Sequence, residues 1–380
     1  MSQKSMQPAG RARRANALRR GLRAASWRGV IPVVGLIGVL VTWNSKPPAV
    51  ILAVLGVVLA SSVLAAVHHA EVVAHRVGEP FGSLALAVAV TVIEVGLIVT
   101  LMVSGGSDTA TLARDTVFAA VMITCNGIVG ITILVGAVRR HVAVFNAEGT
   151  ATALATVATL ATLSLVLPRF TTSRPGPEFT GGQLAFAAVA SLALYGLFVV
   201  VQTVRHRDYF VPSGPDALPD QGAHAEPPSR RHAVASLVFL VIALIAVVGL
   251  AKIESPAIED AVGAIGAPPS AVGVVIALLV LAPETLAAVR NARRDRVQIS
   301  LNLAFGSAMA SIGLTIPAIA VASIWLKGPL ELGLGATQIV LLAITVVVGA
   351  LTVLPGRATV QEGGVHLALL AAFLFLAINP

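Results

Sequence analysis

What most constrains this chain is a succession of apolar runs, each long enough to cross a lipid bilayer and separated from the next by short clusters of charge. A helix needs about 20 apolar residues, within a range of roughly 17–25, to span the hydrocarbon core. Runs of this kind, bounded by Gly, Pro or charge, lie at 29–43, 48–67, 81–104, 113–138, 150–167, 184–203, 234–251, 270–289, 298–325, 336–354 and 365–379. Lipid offers backbone N–H and C=O groups no hydrogen-bond partner, so such runs fold as helices that satisfy themselves. Composition agrees: 56% of the 380 residues are hydrophobic and 12% charged, about half the charge of a soluble domain. Cys125, the single cysteine, lies inside an apolar run, which excludes a disulfide scaffold. The expected fold is an all-α integral membrane protein of about eleven transmembrane helices.

The basic residues orient it. With the N-terminus in the cytoplasm, the outer segments hold only Lys46, Arg114, Arg169, Arg174, Lys252 and Lys327 of the 26 Lys and Arg. The rest fall on the inner side, as the positive-inside rule requires, and the C-terminus lies outside. That asymmetry also accounts for the high pI without nucleic acid, and the inner run Arg290, Arg293, Arg294 and Arg296 suits anionic lipid head groups. Residues 1–28, Arg-rich and free of acids, read as a retained cytoplasmic arm, because the following apolar run lacks a small-residue cleavage site. Residues 204–233 carry five prolines among polar residues and read as a cytoplasmic linker.

Across that linker the chain repeats itself. Glu71–Pro80 reads EVVAHRVGEP and Glu259–Pro268 reads EDAVGAIGAP, with Glu, Gly and Pro in register. Each is followed by an apolar helix with one carboxylate inside it, Glu94 in VTVIEV and Glu284 in LAPETL. Then comes Arg-Asp-x-Val (Arg114, Asp115, Val117; Arg294, Asp295, Val297) and a small-residue-rich helix that aligns Asn126-Gly127 with Gly306-Ser307. The span count runs the two carboxylate helices in opposite directions. This predicts inverted five-helix repeats, 48–203 and 234–379, with 29–43 as an extra N-terminal helix and a site at the midplane between the halves.

Every other acid is expected in a loop or near a helix end. A carboxylate at the bilayer centre costs about 2.5–3.5 kcal/mol on insertion scales, so two in matched positions point to a use. No Lys or Arg lies in the apolar core to pair with them, which leaves a proton or a cation as counter-charge. Two carboxylates with neutral oxygens nearby make a hard-oxygen site suited to Ca²⁺, Na⁺ or H⁺. Asn126, Ser307 and Asn302 are the expected neutral donors, and Pro283 frees a backbone carbonyl one turn before Glu284. An apolar surrounding favours the neutral acid while a cation favours the anion, so proton and metal compete for the same oxygens and antiport needs no separate proton path.

These residues resemble a known family. GEPFGSLALAVAVTVIE, ending at Glu94, and PETLAAVRNARRDRVQISLNLAFGSAMASIGLTIP, from Pro283 to Pro317, are similar to the two α-repeats of the calcium/cation antiporter superfamily, and most similar to its ChaA-type Ca²⁺/H⁺ antiporters. The resemblance runs over most of 45–378. It implies a ten-helix core with an extra N-terminal helix, alternating access, and Glu94 and Glu284 as metal ligands that bind Ca²⁺ and H⁺ in turn. It further implies that Asn126, Gly306 and Ser307 line the site. The Gly-Asn-Ala-Thr-Glu motif of plant and fungal exchangers is absent and the central loop has no acidic run, so Na⁺ or K⁺ stays open beside Ca²⁺.

His68, His69, Glu71 and His75 cluster near the inner end of the second span and, with Glu79, form a possible cytoplasmic mouth; helix-end polarity and N-terminal capping are the simpler readings. An intramembrane zinc peptidase built on His68, His69 and Glu71 lacks the H-E-x-x-H spacing and would not need the Glu94/Glu284 symmetry. A structural membrane protein is the remaining alternative. No nucleotide or redox motif is present, so no cofactor is expected. The expected partners are inorganic cations and membrane lipids.

Overall fold

The computed structural model describes residues 27–45, 47–78, 81–104, 109–211, 228–326 and 328–380. Nearly all of the basic arm, together with Lys46, Glu79, Lys327 and residues 212–227 of the linker, lies outside the described residues.

Among the described residues the helices are α1 (Trp27–Thr42), α2 (Ala49–Val77), α3 (Leu84–Val103), α4 (Leu112–Arg140), α5 (Ala147–Arg169), α6 (Gly181–Arg205), α7 (Arg230–Ala264), α8 (Ala271–Ala292), α9 (Val297–Ala322), α10 (Ala336–Val353) and α11 (Val360–Ile378). All but the shorter α1 are long and apolar enough to cross a membrane. Polar starts fix several of them: Thr180 and Thr359 close capping boxes with Gln183 and Glu362 at α6 and α11, and Asn146 accepts from Gly149 N–H at α5. Two helices outrun their apolar stretches. α2 continues to Val77 rather than ending near 67, and α7 continues to Ala264 rather than 251. Hydropathy marks the lipid-buried part of a helix, while backbone hydrogen bonding carries the coil past it.

The small residues let helices approach closely. A Cβ on Gly249 of α7 would lie 2.8 Å from Val39 of α1, and one on Gly363 of α11 would lie 2.9 Å from the Leu134 nitrogen of α4. One core joins α4, α5, α6, α8, α9, α10 and α11; a second joins α1, α2, α3, α7 and α8. α4 is the most enclosed of the ten long apolar helices, with 89% of its apolar stretch buried inside the protein. The loops before α5 and α11 pair as a two-stranded antiparallel ladder, β1 (Ala143–Val144) with β2 (Arg357–Ala358), a small departure from an all-helical chain.

α5 and α6 widen into π-helical turns near their ends, over Thr162–Val166 and Val201–Arg205, and α4 and α9 are irregular within their spans for identifiable reasons. α4 widens into a π-helical turn over Ile123–Ile128, where the Thr124 hydroxyl donates to the carbonyls of Ala120 and Val121 and competes with the helix ladder. α9 breaks at Leu314, between Val297–Gly313 and Thr315–Ala322, because Pro317 has no N–H to offer the Gly313 carbonyl.

The expectation that every acid other than Glu94 and Glu284 lies in a loop or near a helix end is corrected at Glu254, which is buried within α7. It does not stand out by hydropathy, because the apolar run 234–251 ends before α7 does. Asp115 is near a helix end as expected, in the first turn of α4, and is buried there against Arg114, 2.9 Å away.

Candidate functional site

Glu94, on α3, and Glu284, on α8, are 2% and 9% exposed. Both line one cavity of about 350 Å³, bounded by α3, α6, α8 and α9. From Glu94 it reaches past Val90 and Leu86 on α3, and past Gly306, Asn302 and Ile299 on α9, toward the end of the bundle at which these two helices begin. No Lys or Arg is among its lining residues.

The polar contacts are sparse. The hydroxyls of Ser311 and Thr315 donate to Oε2 of Glu94, at 3.0 and 3.2 Å, from the two sides of the break in α9. Oε1 of Glu94 and Oε2 of Glu284 are buried without a partner. Leaving a buried acceptor unmatched is unfavourable, and two such oxygens belong to carboxylates on one cavity. A cation or a proton satisfies either of them.

Gly306, Ser307 and Asn302 line the same cavity. The Asn302 amide is engaged: it accepts from Gln298 Nε2 at 2.8 Å and donates to the Phe210 carbonyl, which ties α9 to the short turn after α6. Pro283, within α8, is not among the lining residues. Nor is Asn126, which sits in the wide turn of α4 and bonds to α10 and α11. Ser311 and Thr315 were not anticipated from the sequence; the available signal was Pro317, which marks the break that brings both hydroxyls to one carboxylate.

The histidine cluster lies apart. His68 Nδ1 is 3.0 Å from Arg28 Nη1 and 3.9 Å from Glu71, while His69 faces the Arg28 carbonyl and stacks on Phe239 of α7. His75 is exposed. These contacts fasten α1, α2 and α7 together, and none of the four residues lines the cavity. Among the described residues, no three His, Cys, Asp or Glu side chains come together as a metal-binding group.

A smaller recess of about 240 Å³ lies between α4, α8, α10 and α11, lined by Asp115, Ser270, Gln338 and Leu341 among others. Exchanging the halves (α3 with α8, α4 with α9, α6 with α11) maps the cavity onto α3, α4, α8 and α11, three of which are shared with or border this recess. Its lining includes Phe118 and Phe373, whose rings meet edge to face at 5.5 Å. Gln338 donates to Asp115 Oδ1 at 3.3 Å and Arg114 to the Gly333 carbonyl at 3.1 Å. The counterpart recess is thus smaller than the cavity and latched by these two bonds.

Comparison with known proteins agrees with this architecture. The family model described as sodium/calcium exchanger protein matches residues 47–204 and 235–379. A putative ionic transporter, y4hA, of Sinorhizobium fredii (strain NBRC 101917 / NGR234) is 43% identical over 357 residues, 93% of this chain and 96% of that one. The sodium-potassium/proton antiporter ChaA of Escherichia coli (strain K12) is 36% identical over 351 residues, 91% and 94% of the two chains. In fold the chain is similar to the H⁺/Ca²⁺ exchanger CAX, with a TM-score of 0.68 at 15% identity, covering 92% of this chain and 86% of that one.

Proposed function

The chain belongs to the sodium/calcium exchanger protein family of secondary transporters, and on that premise we propose that it exchanges Ca²⁺ for H⁺ across the bacterial inner membrane, with Na⁺ or K⁺ as the alternative substrate. The observation that carries this reading is the pair of buried carboxylates on one cavity, each with an oxygen that has no protein partner. Glu94 and Glu284 bind the metal as anions and the proton as neutral acids. Each carboxylate therefore discharges one substrate in order to take the other. Two carboxylates favour a divalent ion by charge balance; the alternative is motivated by the name of the ChaA relative, a sodium-potassium/proton antiporter.

In this reading Gly306, Ser307 and Asn302 border the ion's path, the carbonyl freed by Pro283 supplies an oxygen on α8, and Asn126 joins when the α4 side opens. The halves are 48–203 and 234–379, joined by the linker 204–233. By the positive-inside rule the N-terminus is cytoplasmic, the C-terminus is outside and the cavity opens to the cytoplasm. The Arg290–Arg296 run then meets anionic lipid at that face.

Everted vesicles with a pH-sensitive dye test this. Added Ca²⁺ should release protons from vesicles carrying the wild type, and Glu94→Gln and Glu284→Gln should abolish the signal while inserting normally. A response to Na⁺ or K⁺ alone keeps the mechanism and changes the substrate. Proton movement unaffected by either substitution would sink the proposal.

A further inference from the structure

Asn126-Gly127 holds in the first half the register that Gly306-Ser307 holds in the second, yet only the second pair lines the cavity. Asn126 is 0% exposed and its amide is fully matched. Its Nδ2 donates to the Thr345 hydroxyl on α10 at 2.9 Å, and its Oδ1 faces Nδ1 of His366 on α11 at 3.2 Å. His366 Nε2 faces the Thr352 hydroxyl, also at 3.2 Å. An amide oxygen only accepts, so the imidazole carries its proton on Nδ1 and accepts from Thr352 on Nε2. His366 is itself 1% exposed and also bonds the Cys125 backbone, so this chain of bonds links Thr352 to both residues of the Cys125-Asn126 pair.

The surroundings give this chain something to hold. Asn126 sits in the wide turn of α4, where backbone hydrogen bonding is already irregular, and such turns mark places where a helix can rearrange. One turn further along, α4 and α11 cross so closely that a Cβ on Gly130 would lie 3.0 Å from His366 Cβ and 3.1 Å from the Gly363 carbonyl. The ring is therefore held against a turn whose backbone hydrogen bonding is irregular. When the capping boxes of α6 and α11 are aligned, Thr180 on Thr359, the position of His366 is taken in the first half by Ala187. The second half has Gly306 in place of Asn126, without a side chain to hold, and correspondingly no polar holder opposite.

We propose that His366 is a positioning residue for exchange: it retains the Asn126 amide in the closed half, off the carboxylate cavity, and gives it up when the α4 side opens. The inference rests on the reading of Glu94 and Glu284 as the exchange site, but its test does not need transport. Cys125, next to Asn126, is the only cysteine in the chain and is buried, so its reaction with N-ethylmaleimide reports opening of the wide turn in the full-length protein in liposomes. Cation-free labelling should be slow in the wild type and roughly tenfold faster in His366→Ala, the effect of about one buried hydrogen bond at 1.4 kcal/mol per decade. His366→Gln, whose amide can donate to Asn126 and accept from Thr352, should restore slow labelling. Thr352→Val, which removes only the partner of Nε2, should give an intermediate rate and serves if His366→Ala does not fold. Labelling as slow as wild type in both His366→Ala and Thr352→Val overturns the proposal. So does fast labelling that His366→Gln leaves unrelieved, because the ring would then act by volume alone. Neither outcome depends on which cation the protein exchanges.

Discussion

Removing the Ser311 hydroxyl separates the electrostatic role of the Glu94 surroundings from direct contact with the ion. Ser311 and Thr315 both donate to Oε2 of Glu94, at 3.0 and 3.2 Å. Hydrogen bonds to a charged group contribute about 1.5–3 kcal/mol. With two donors sharing one oxygen, the lower end applies, and about 1.4 kcal/mol corresponds to one pH unit. The sign follows from what each form needs. The hydroxyls favour the anion, the cation binds the anion, and the proton competes. Ser311→Ala therefore makes the proton the stronger competitor, and activity is lost at a higher pH than in the wild type. At fixed Ca²⁺ the midpoint of the pH–rate curve should move up by about one unit, with the alkaline plateau retained. Thr315→Val should move it in the same direction, and the double variant further than either. The assay is the initial rate of Ca²⁺-triggered proton movement in everted vesicles, taken from acid to alkaline pH. An unmoved midpoint with a weaker apparent affinity on the alkaline plateau would refute the reasoning, since Ser311 would then be acting as a ligand of the ion. An acid shift would refute it outright.

Gly363→Ala should lower the thermal midpoint of the solubilised protein, because its Cβ would lie 2.9 Å from the Leu134 nitrogen and overpacking costs about 1–3 kcal/mol; an unchanged midpoint would mean that the α4–α11 crossing yields. Phe118→Ala removes a buried ring from the latched side and should destabilise by about 3–5 kcal/mol. A thermal-unfolding double-mutant cycle with Phe373→Ala should return about 0.5–1.5 kcal/mol of coupling for the edge-to-face pair, and zero coupling would show that the rings act independently. Glu254→Gln should leave cation–proton exchange intact, since Glu254 does not line the cavity; loss of exchange in vesicles would require a third carboxylate in the mechanism.

Much of the architecture was legible because a bilayer imposes one length on every span. Glu94 and Glu284 were legible for a related reason: an acid in the middle of an apolar run contrasts with everything around it. The same contrast fails at helix ends. Past the apolar run the helix is sustained by local hydrogen bonding, so α2 and α7 are longer than their apolar runs, and Glu254, expected at a helix end, is buried within α7. The hydroxyls at the site were hidden by their ordinariness. Many hydroxyls in these helices simply bond back to a carbonyl four residues earlier, as Thr285 does to Leu281, and only tertiary position tells Ser311 and Thr315 from those. His366 was missed although it lies inside the final apolar run, where a lone imidazole is as conspicuous as a lone carboxylate. Its value depends on Asn126, 240 positions earlier in the chain, and no spacing rule joins residues at that separation.

The burial of α4 has a consequence for how the protein is made. Its apolar stretch is 89% enclosed by the protein, and its neighbours α8, α9 and α11 all belong to the second half of the chain. A ribosome delivers α4, with Asp115, Thr124 and Asn126, long before the helices that will cover it. It is apolar enough to enter lipid as a single helix, so insertion and enclosure are separate events. In the interval its polar face is turned toward acyl chains or toward whatever assists insertion. Synthesis halted at the linker would leave that face bare, and the first half, though built from complete spans, would be an unfinished surface rather than half a transporter.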